Sequence, residues 1–324
     1  MIIAGIDEAG LGPVLGPLVL SAVAFRCDDS KARADLWELL EGAVARKPAR
    51  KGTGPIAIGD SKKLYNRKRK NGLAPLERGV LGAFCSLTGQ NPPANLADFY
   101  DIIAPNARAD CSGYGWYEPQ EHKLPVHAGR LDIKLSSDKL SETLKQSGIE
   151  LAGVRAIPVF VKQYNKLIAQ IQNKSTAVLG KTFELVSCVA TSWPGENVRL
   201  IVDRQGGRMR YLEPLSRIFP QRQIKILEES EKLSAYRIAD ADRTIEIEFV
   251  VGGESASLAT ALASMFSKYI REICMMQFNN FWQARIPGLA DTAGYYVDGN
   301  RFFDEICDEM SLLDIPEDSI YRCR

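Results

Sequence analysis

Histidine is scarce in this sequence. Only His122 and His127 occur among the 324 residues, and both lie in a stretch rich in proline and glycine. A Ser-His-Asp triad, a Cys-His pair or a histidine-rich zinc site would have to be built from these two residues. We therefore expect carboxylates, rather than imidazoles, to carry any reaction that the chain catalyses.

Long apolar runs and regularly spaced cysteines are also missing. No apolar run approaches the ~20 residues of a membrane helix, and the strand-like run 2–6 opens the sequence without the basic region and cleavage site of a secretory signal. The seven cysteines show no Cys-x-x-Cys spacing, and their odd number argues against a disulfide framework. We expect a cytoplasmic monomer with reduced thiols and no membrane partner.

The charges of the chain nearly cancel. The sequence has 41 Lys and Arg against 40 Asp and Glu, which gives a formal net charge of +1. A generally basic coat for nucleic acid is excluded, so the positive charge that a polyanionic partner requires has to be local. The basic run 62–70 supplies such a charge, as either a phosphate-binding segment or a solvated helix face.

Strand-like and helix-like segments are mixed along the chain. Hydrophobic periodicity predicts strands at 2–6, 18–25, 148–161, 198–202, 224–227 and 244–251, and helices at 31–46, 73–87, 163–190 and 257–281. This mixture indicates an α/β protein. We interpret 1–324 as a single domain that carries an irregular, Pro- and Gly-rich insertion at 90–147 and a C-terminal helical segment at 257–324.

Acidic residues follow three of the predicted strands. Asp7 and Glu8 end the first strand, Asp203 ends the strand 198–202, and Glu254 follows the strand 244–251. The ends of neighbouring strands in an open α/β sheet line one crevice, so these carboxylates can converge. Oxygen ligands suit Mg²⁺ or Mn²⁺, and two such ions about 3.5–4 Å apart would support phosphodiester cleavage. The alternative is that the acids are turn residues and helix caps.

The residues around these acids form recognisable motifs. The segment 5–13 reads Gly-Ile-Asp-Glu-Ala-Gly-Leu-Gly-Pro and is followed by Gly16-Pro17, and the segment 60–64 reads Asp-Ser-Lys-Lys-Leu. Further along are Leu200-Ile201-Val202-Asp203, Glu254 ten residues before Ser264, Lys268, and Thr292-Ala293-Gly294-Tyr295. In this order, the motifs resemble those of the type 2 ribonucleases H, ribonuclease HII and ribonuclease HIII.

The resemblance implies an RNase H-like fold with a mixed central sheet flanked by helices. It also implies cleavage of the RNA strand of RNA–DNA hybrids, or of ribonucleotides embedded in duplex DNA, by two Mg²⁺ or Mn²⁺ ions, leaving 5′-phosphate ends. The metal ligands would be Asp7, Glu8, Asp203 and Glu254. The substrate-binding residues would be Gly10, Leu11, Gly12, Ser61, Lys62, Lys63, Lys268 and Tyr295. The two glycines would present their backbone to the ribose 2′-OH.

Two departures from the family pattern keep alternatives open. Leu11 stands where the family has Arg or Lys, so one phosphate contact is missing. The stretch 90–147 has no counterpart in the motifs, and its Tyr114, Trp116 and Tyr117 either stack on bases or form the core of the insertion. The chain could therefore be a catalytically weakened nucleic-acid-binding module on the same fold. It could also be a structure-specific DNA nuclease of RNase H-like fold.

Overall fold

The computed structural model describes residues 1–48, 54–240 and 242–323. Its strands are β1 (Ile2–Ala9), β2 (Leu18–Cys27), β3 (Val44–Ala45), β4 (Ile56–Ala57), β5 (Ile149–Val159), β6 (Val198–Asp203), β7 (Ile224–Glu229), β8 (Leu233–Asp240) and β9 (Arg243–Val250). Its helices are α1 (Leu36–Leu39), α2 (Ser61–Leu64), α3 (Ala74–Thr88), α4 (Leu96–Ile103), α5 (Ala107–Cys111), α6 (Arg130–Gln146), α7 (Val161–Ile171), α8 (Lys174–Ser192), α9 (Leu212–Ile218), α10 (Gly253–Ala256), α11 (Leu258–Gln283) and α12 (Tyr296–Leu312).

Seven of these strands form one sheet in the order β5-β2-β1-β6-β9-β8-β7. The central strands β1, β6 and β9 are parallel to one another. The flanking pairs, including β1 with β2 and β8 with β9, are antiparallel. The predicted fold class, a mixed α/β sheet flanked by helices, is confirmed. Three parallel strands at the centre place their carboxyl ends at one edge of the sheet.

The sheet separates two hydrophobic clusters. Successive side chains of a strand point to opposite faces, and in β1 Ile3 joins the cluster that contains α3, α6 and α11, while Ile2 and Ala4 join the one that contains α8. Gly5 allows α11 to approach the sheet, because a Cβ there would lie 2.1 Å from the backbone nitrogen of Thr260. The helix that leads away from Glu254 is therefore fixed directly against β1.

The longest helix, α11, runs through the larger cluster with most of its residues buried. Its burial is that of a core helix packed on β1 and β2. Within the ranges that the model describes, no helix is both long enough and apolar enough to cross a bilayer.

Several element boundaries differ from the sequence prediction. The predicted helix 31–46 is wrong over most of its length, since only α1 forms and Gly42, at φ +87°, lies in a left-handed conformation that a helix cannot contain. The predicted helix 163–190 is two helices, separated at Gln172, which has φ 52°, and at Asn173, which caps α8. Strand β8 was not predicted at all. It pairs with both β7 and β9.

The stretch 90–147 contains the helices α4, α5 and α6. Tyr114, Trp116 and Tyr117 are each about 95 % buried. Their rings pack against Phe160 and Phe278, with centroids 5.0–5.6 Å apart. Of the two interpretations of these aromatics, the structure supports a core role, and the core they join is that of the main sheet.

Candidate active site

Asp7, Glu8, Asp203 and Glu254 lie at the carboxyl end of the three parallel central strands. The register pairs Ile6 of β1 with Val202 of β6, so Asp7 and Asp203 follow at the same level. Glu254 lies in α10, which begins three residues after β9 ends. The backbone N–H of Gly253 donates to Asp203 Oδ1 at 2.7 Å and so ties α10 to the end of β6.

These carboxyl groups perturb one another. Burial, followed by the charges of Glu8 and Asp203, raises the pKa of Asp7 well above its usual value. Burial also raises the pKa of Glu8 to about 7, with Asp203 adding to the effect. The pKa values of Asp203 and Glu254 are raised as well, first by burial. The site thus holds more negative charge than its surroundings compensate, which favours a cation.

Ser264 of α11 links three parts of the site. Its hydroxyl donates to Glu254 Oε2 at 3.3 Å and lies 3.0 Å from the hydroxyl of Ser61. The Ser264 hydroxyl also acts to lower the pKa of Asp7, against the larger effect of burial. The Asp-Ser-Lys-Lys-Leu segment is therefore connected to the carboxylates by a buried pair of hydroxyls. The sequence places Ser264 in a motif but does not indicate this contact.

The two predicted phosphate-binding lysines of this segment differ in their surroundings. Asp60 caps α2 by accepting a hydrogen bond from the backbone N–H of Lys62 at 3.0 Å. Lys62 and Lys63 follow in this short helix, and both are exposed. The charge of Lys62 acts to lower the pKa values of Glu8, Asp203 and Glu254, so its ammonium lies near these carboxylates. Lys63 instead forms an ion pair with Asp60 at 2.9 Å.

The glycine loop, which we define as residues 10–17, joins β1 to β2 beside the carboxylates. Gly10 has φ +93°, and a Cβ built on Gly12 would lie 3.8 Å from the ring of Tyr295. Tyr295 is about half exposed at the start of α12. Leu11 is partly buried against the cluster that contains α8. The structure thus brings Gly12 and Tyr295 together at the surface, packs Gly10 on Arg271, and turns part of Leu11 away from solvent.

Lys268 forms an ion pair with a glutamate outside the set of four carboxylates. Its ammonium lies 2.6 Å from Glu272 Oε1 and 5.3 Å from the centre of the Tyr65 ring, and its side chain is largely buried. The structure therefore gives Lys268 a carboxylate partner one helical turn further along α11. The role of Lys268 in substrate binding stays a prediction.

Gln205 is a site residue that sequence reasoning missed. Its side-chain amide donates to Glu8 Oε2 at 2.9 Å and to Thr182 Oγ1 at 3.0 Å. Both amide hydrogens are used, so the side chain is fixed in orientation. No motif marks Gln205, and its position two residues after Asp203 is the only signal that the sequence offers.

The side chains at the site offer the type of ligand atom that a hard divalent cation prefers. Four carboxyl groups with raised pKa values supply the oxygen ligands and the excess negative charge that Mg²⁺ or Mn²⁺ requires. Among residues 1–48, 54–240 and 242–323, however, no group of three or more His, Cys, Asp or Glu side chains is arranged at metal-binding distances. The carboxylates are gathered at one place without being arranged as a coordination shell.

Comparisons with known proteins give weak structural matches. No family model matches the chain, and no curated protein does. A chain of the PCNA:RNase HII complex from Archaeoglobus fulgidus is 13 % identical with a TM-score of 0.44, over 100 % of this chain and 95 % of that one. Ribonuclease H2 from Pyrococcus horikoshii OT3 is 13 % identical with a TM-score of 0.45, over 99 % and 92 %. Bst-RNase HIII in complex with Mn²⁺ is 15 % identical with a TM-score of 0.41, over 99 % and 66 %. All these TM-scores are below 0.5, so function is argued below from the residues of the site.

Proposed function

We propose that this chain is a divalent-metal-dependent endonuclease of the type 2 ribonuclease H class. Its substrate is the RNA strand of an RNA–DNA hybrid, or a ribonucleotide embedded in duplex DNA. The observation that carries the proposal is the convergence of Asp7, Glu8, Asp203 and Glu254 at the end of three parallel strands. The motif resemblance supports the class of reaction.

The four carboxylates would hold the metal ions. When bound, Mg²⁺ or Mn²⁺ would supply positive charge for the developing negative charge of the phosphodiester and would lower the pKa of a water nucleophile. Gln205 holds Glu8 by one oxygen and leaves Oε1 for a ligand. Ser264 holds Glu254 by Oε2 in the same way. Each of these hydrogen bonds limits the rotation of a carboxylate and so orients its free oxygen.

The residues next to the carboxylates would bind the substrate backbone. Lys62 is exposed and its charge acts on the nearby carboxylates, so it can contact a phosphate of a substrate bound at the site. The glycine loop brings main-chain groups beside the carboxylates, where they would contact a ribose 2′-OH. Tyr295, which lies next to Gly12, would pack against a sugar. Leu11 supplies no charge, so we expect weaker phosphate binding at this loop.

A substrate panel tests the proposal. Purified protein is incubated with labelled DNA duplex, RNA duplex, RNA–DNA hybrid and DNA containing one ribonucleotide, each with Mg²⁺, with Mn²⁺ and with EDTA. We expect cleavage at ribonucleotides in one or both metals and none in EDTA. Asp203→Asn should abolish cleavage, whereas the control Asp138→Asn, which alters an exposed residue paired with Lys134 on α6, should not.

The other outcomes of the panel identify the alternatives. Cleavage of DNA substrates without a requirement for ribose would indicate a DNA nuclease on this fold. Binding of hybrid without cleavage in either metal would indicate a nucleic-acid-binding module and would overturn the proposed activity.

A further inference from the structure

The glycine loop is held from its inner side. Its backbone turns sharply at Gly10, which has φ +93°, and a Cβ there would lie 2.6 Å from the guanidinium of Arg271. The loop has no regular secondary structure of its own beyond an isolated bridge. Its conformation must therefore be fixed by contacts with other parts of the chain.

Arg322 makes several of these contacts. Its guanidinium donates to the carbonyl oxygens of Gly10 at 2.5 Å, Gly16 at 2.7 Å and Pro13 at 3.4 Å. Its backbone N–H donates to the carbonyl of Val14 at 2.9 Å. One residue thus binds the loop at its beginning, middle and end. The planar guanidinium suits this role because its donors point in fixed, divergent directions.

The segment that carries Arg322 is itself anchored. Tyr321 forms an isolated β-bridge with Leu15 of the loop. The side-chain amide of Asn165 in α7 donates to the carbonyls of Asp318 and Tyr321, and its oxygen accepts from the backbone N–H of Cys323. The segment 318–323 is therefore fixed to α7 on one side and to the glycine loop on the other.

Arg322 is a charged group in an unfavourable environment. Its side chain is only 2 % exposed, and burial, followed by the charge of Arg271, lowers its pKa to about 9. The ring of Tyr164 lies over it at 4.9 Å. Burying a cation costs free energy that a purely apolar anchor would avoid. A role in holding backbone carbonyls in one geometry accounts for a guanidinium at this position.

We propose that Arg322 is a positioning residue that fixes the glycine loop in the conformation that contacts the ribose of the substrate. This inference rests on the proposed function, because ribose recognition is assigned to the loop there. Arg322 does not touch the substrate. It acts by setting the direction of the backbone groups of Gly10 and Gly12.

The test uses the full chain with Arg322→Lys and Arg322→Met. Lysine keeps the charge but replaces the separate nitrogens of the planar guanidinium by a single ammonium, and methionine keeps most of the apolar stem. The matched control is Arg243→Lys, since Arg243 is also largely buried and donates to the carbonyls of Ala190 and Trp193. It lies at the opposite end of β9 from the carboxylates.

Two measurements are made on each folded variant. Hydrogen exchange of the backbone amides of the non-proline residues in 10–17 reports the loop, with β1 as the internal reference. Binding of an RNA–DNA hybrid and of a DNA duplex of the same sequence, both in EDTA, reports ribose preference without cleavage. For both Arg322 variants we expect faster exchange confined to the loop and a fall of about tenfold in the preference for hybrid, the size of one lost hydrogen bond. Arg243→Lys should change neither.

The outcomes separate this inference from the proposed function. Unchanged exchange in the loop, or faster exchange with an unchanged hybrid preference, would overturn the role of Arg322. Loss of the fold in both variants would also overturn it, because the residue would then be a general structural anchor. If the wild-type protein cleaves no substrate, the proposed activity fails, while the exchange and binding results still decide the role of Arg322.

Discussion

Two groups of buried carboxylates on the same sheet differ in how their charge is balanced. Glu248 in β9 accepts two hydrogen bonds from Arg199, both at 2.9 Å, and one from Arg33 at 2.7 Å. Burial alone would raise the pKa of Glu248, but these arginines hold it below its usual value of 4.5. At the carboxyl end of the central strands, only two residues further along β9, the pKa values of Asp7 and its neighbours are raised instead.

The difference separates a carboxylate with cationic hydrogen-bond partners from carboxylates without them. Glu248 has guanidinium partners on two sides, so its charge is neutralised within the protein. Asp7 and Glu8 have neutral hydrogen-bond partners and acidic neighbours, and the nearby charge of Lys62 does not offset the rise in the pKa of Glu8. Stability should therefore depend on the first group, and activity on the second.

The largest effect is expected for Asp7→Asn. Removing one charge from the carboxylate cluster should reduce cleavage at least about 1,000-fold, equivalent to about 4 kcal/mol. The melting temperature without metal should not fall, because a mutually repelling charge has been removed. The measurements are single-turnover cleavage and thermal unfolding in EDTA. A lower melting temperature with retained cleavage would mean that Asp7, like Glu248, serves stability and not cleavage.

Divalent metal should stabilise the protein only while the cluster is intact. A metal that binds the folded state alone adds about 2.7 kcal/mol when its concentration is 100 times its dissociation constant. We expect the melting temperature of the wild-type protein to rise with Mn²⁺ and that of Asp7→Asn to rise much less. Glu248→Gln should respond like the wild type. An equal rise in all three proteins would place the metal elsewhere.

Glu248→Gln should show the opposite pattern to Asp7→Asn. It leaves Arg199 without its carboxylate, at an expected cost of about 2 kcal/mol in the free energy of unfolding. Because the folded-state pKa is lowered, this contribution is present above the unfolded pKa of about 4.5 and is lost as pH falls through the folded value. Denaturant unfolding at pH 7 and at low pH should show the difference between variant and wild type shrinking on acidification. Cleavage at pH 7 should be unchanged.

The sequence predicts where the acidic residues meet better than it predicts some of the surrounding turns and strands. Asp7, Asp203 and Glu254 follow strand-like segments, of which 2–6 and 198–202 are apolar runs and 244–251 alternates, so their meeting could be expected because the ends of neighbouring strands line one crevice. The bend at Gly42 and the strand β8 could not, because turn conformation and strand pairing outweigh local hydrophobicity there. Whether the acids act as metal ligands stays a prediction.

The contacts that orient the site are harder to predict than the site itself. Arg322 and Gly10 are 312 residues apart in sequence, and Gln205 and Glu8 are 197 apart. Neither pair lies within one element or one motif, so periodicity carries no information about it. Polar residues of this kind become meaningful only when their partners are known.

The smallest expected effect tests one such partner, Gln205. Gln205→Leu removes the hydrogen bond to Glu8 Oε2 while keeping a side chain of similar size. Loss of a residue that orients a metal ligand lowers metal affinity or activity about 10–100-fold. We therefore expect kcat to fall about tenfold with KM unchanged. The concentration of Mn²⁺ needed for half-maximal stabilisation should rise in parallel.

A matched control is Gln146→Leu, since Gln146 also donates its amide to a glutamate, Glu142, but on the exposed face of α6. It should leave both measurements unchanged. Thr182→Val, which removes the second acceptor of Gln205, should produce a weaker version of the Gln205→Leu effect. If Gln205→Leu instead raised KM alone, Gln205 would contact substrate rather than orient Glu8. That result would contradict the orienting role, and Glu8 would then differ from Glu248 only in how its charge is balanced.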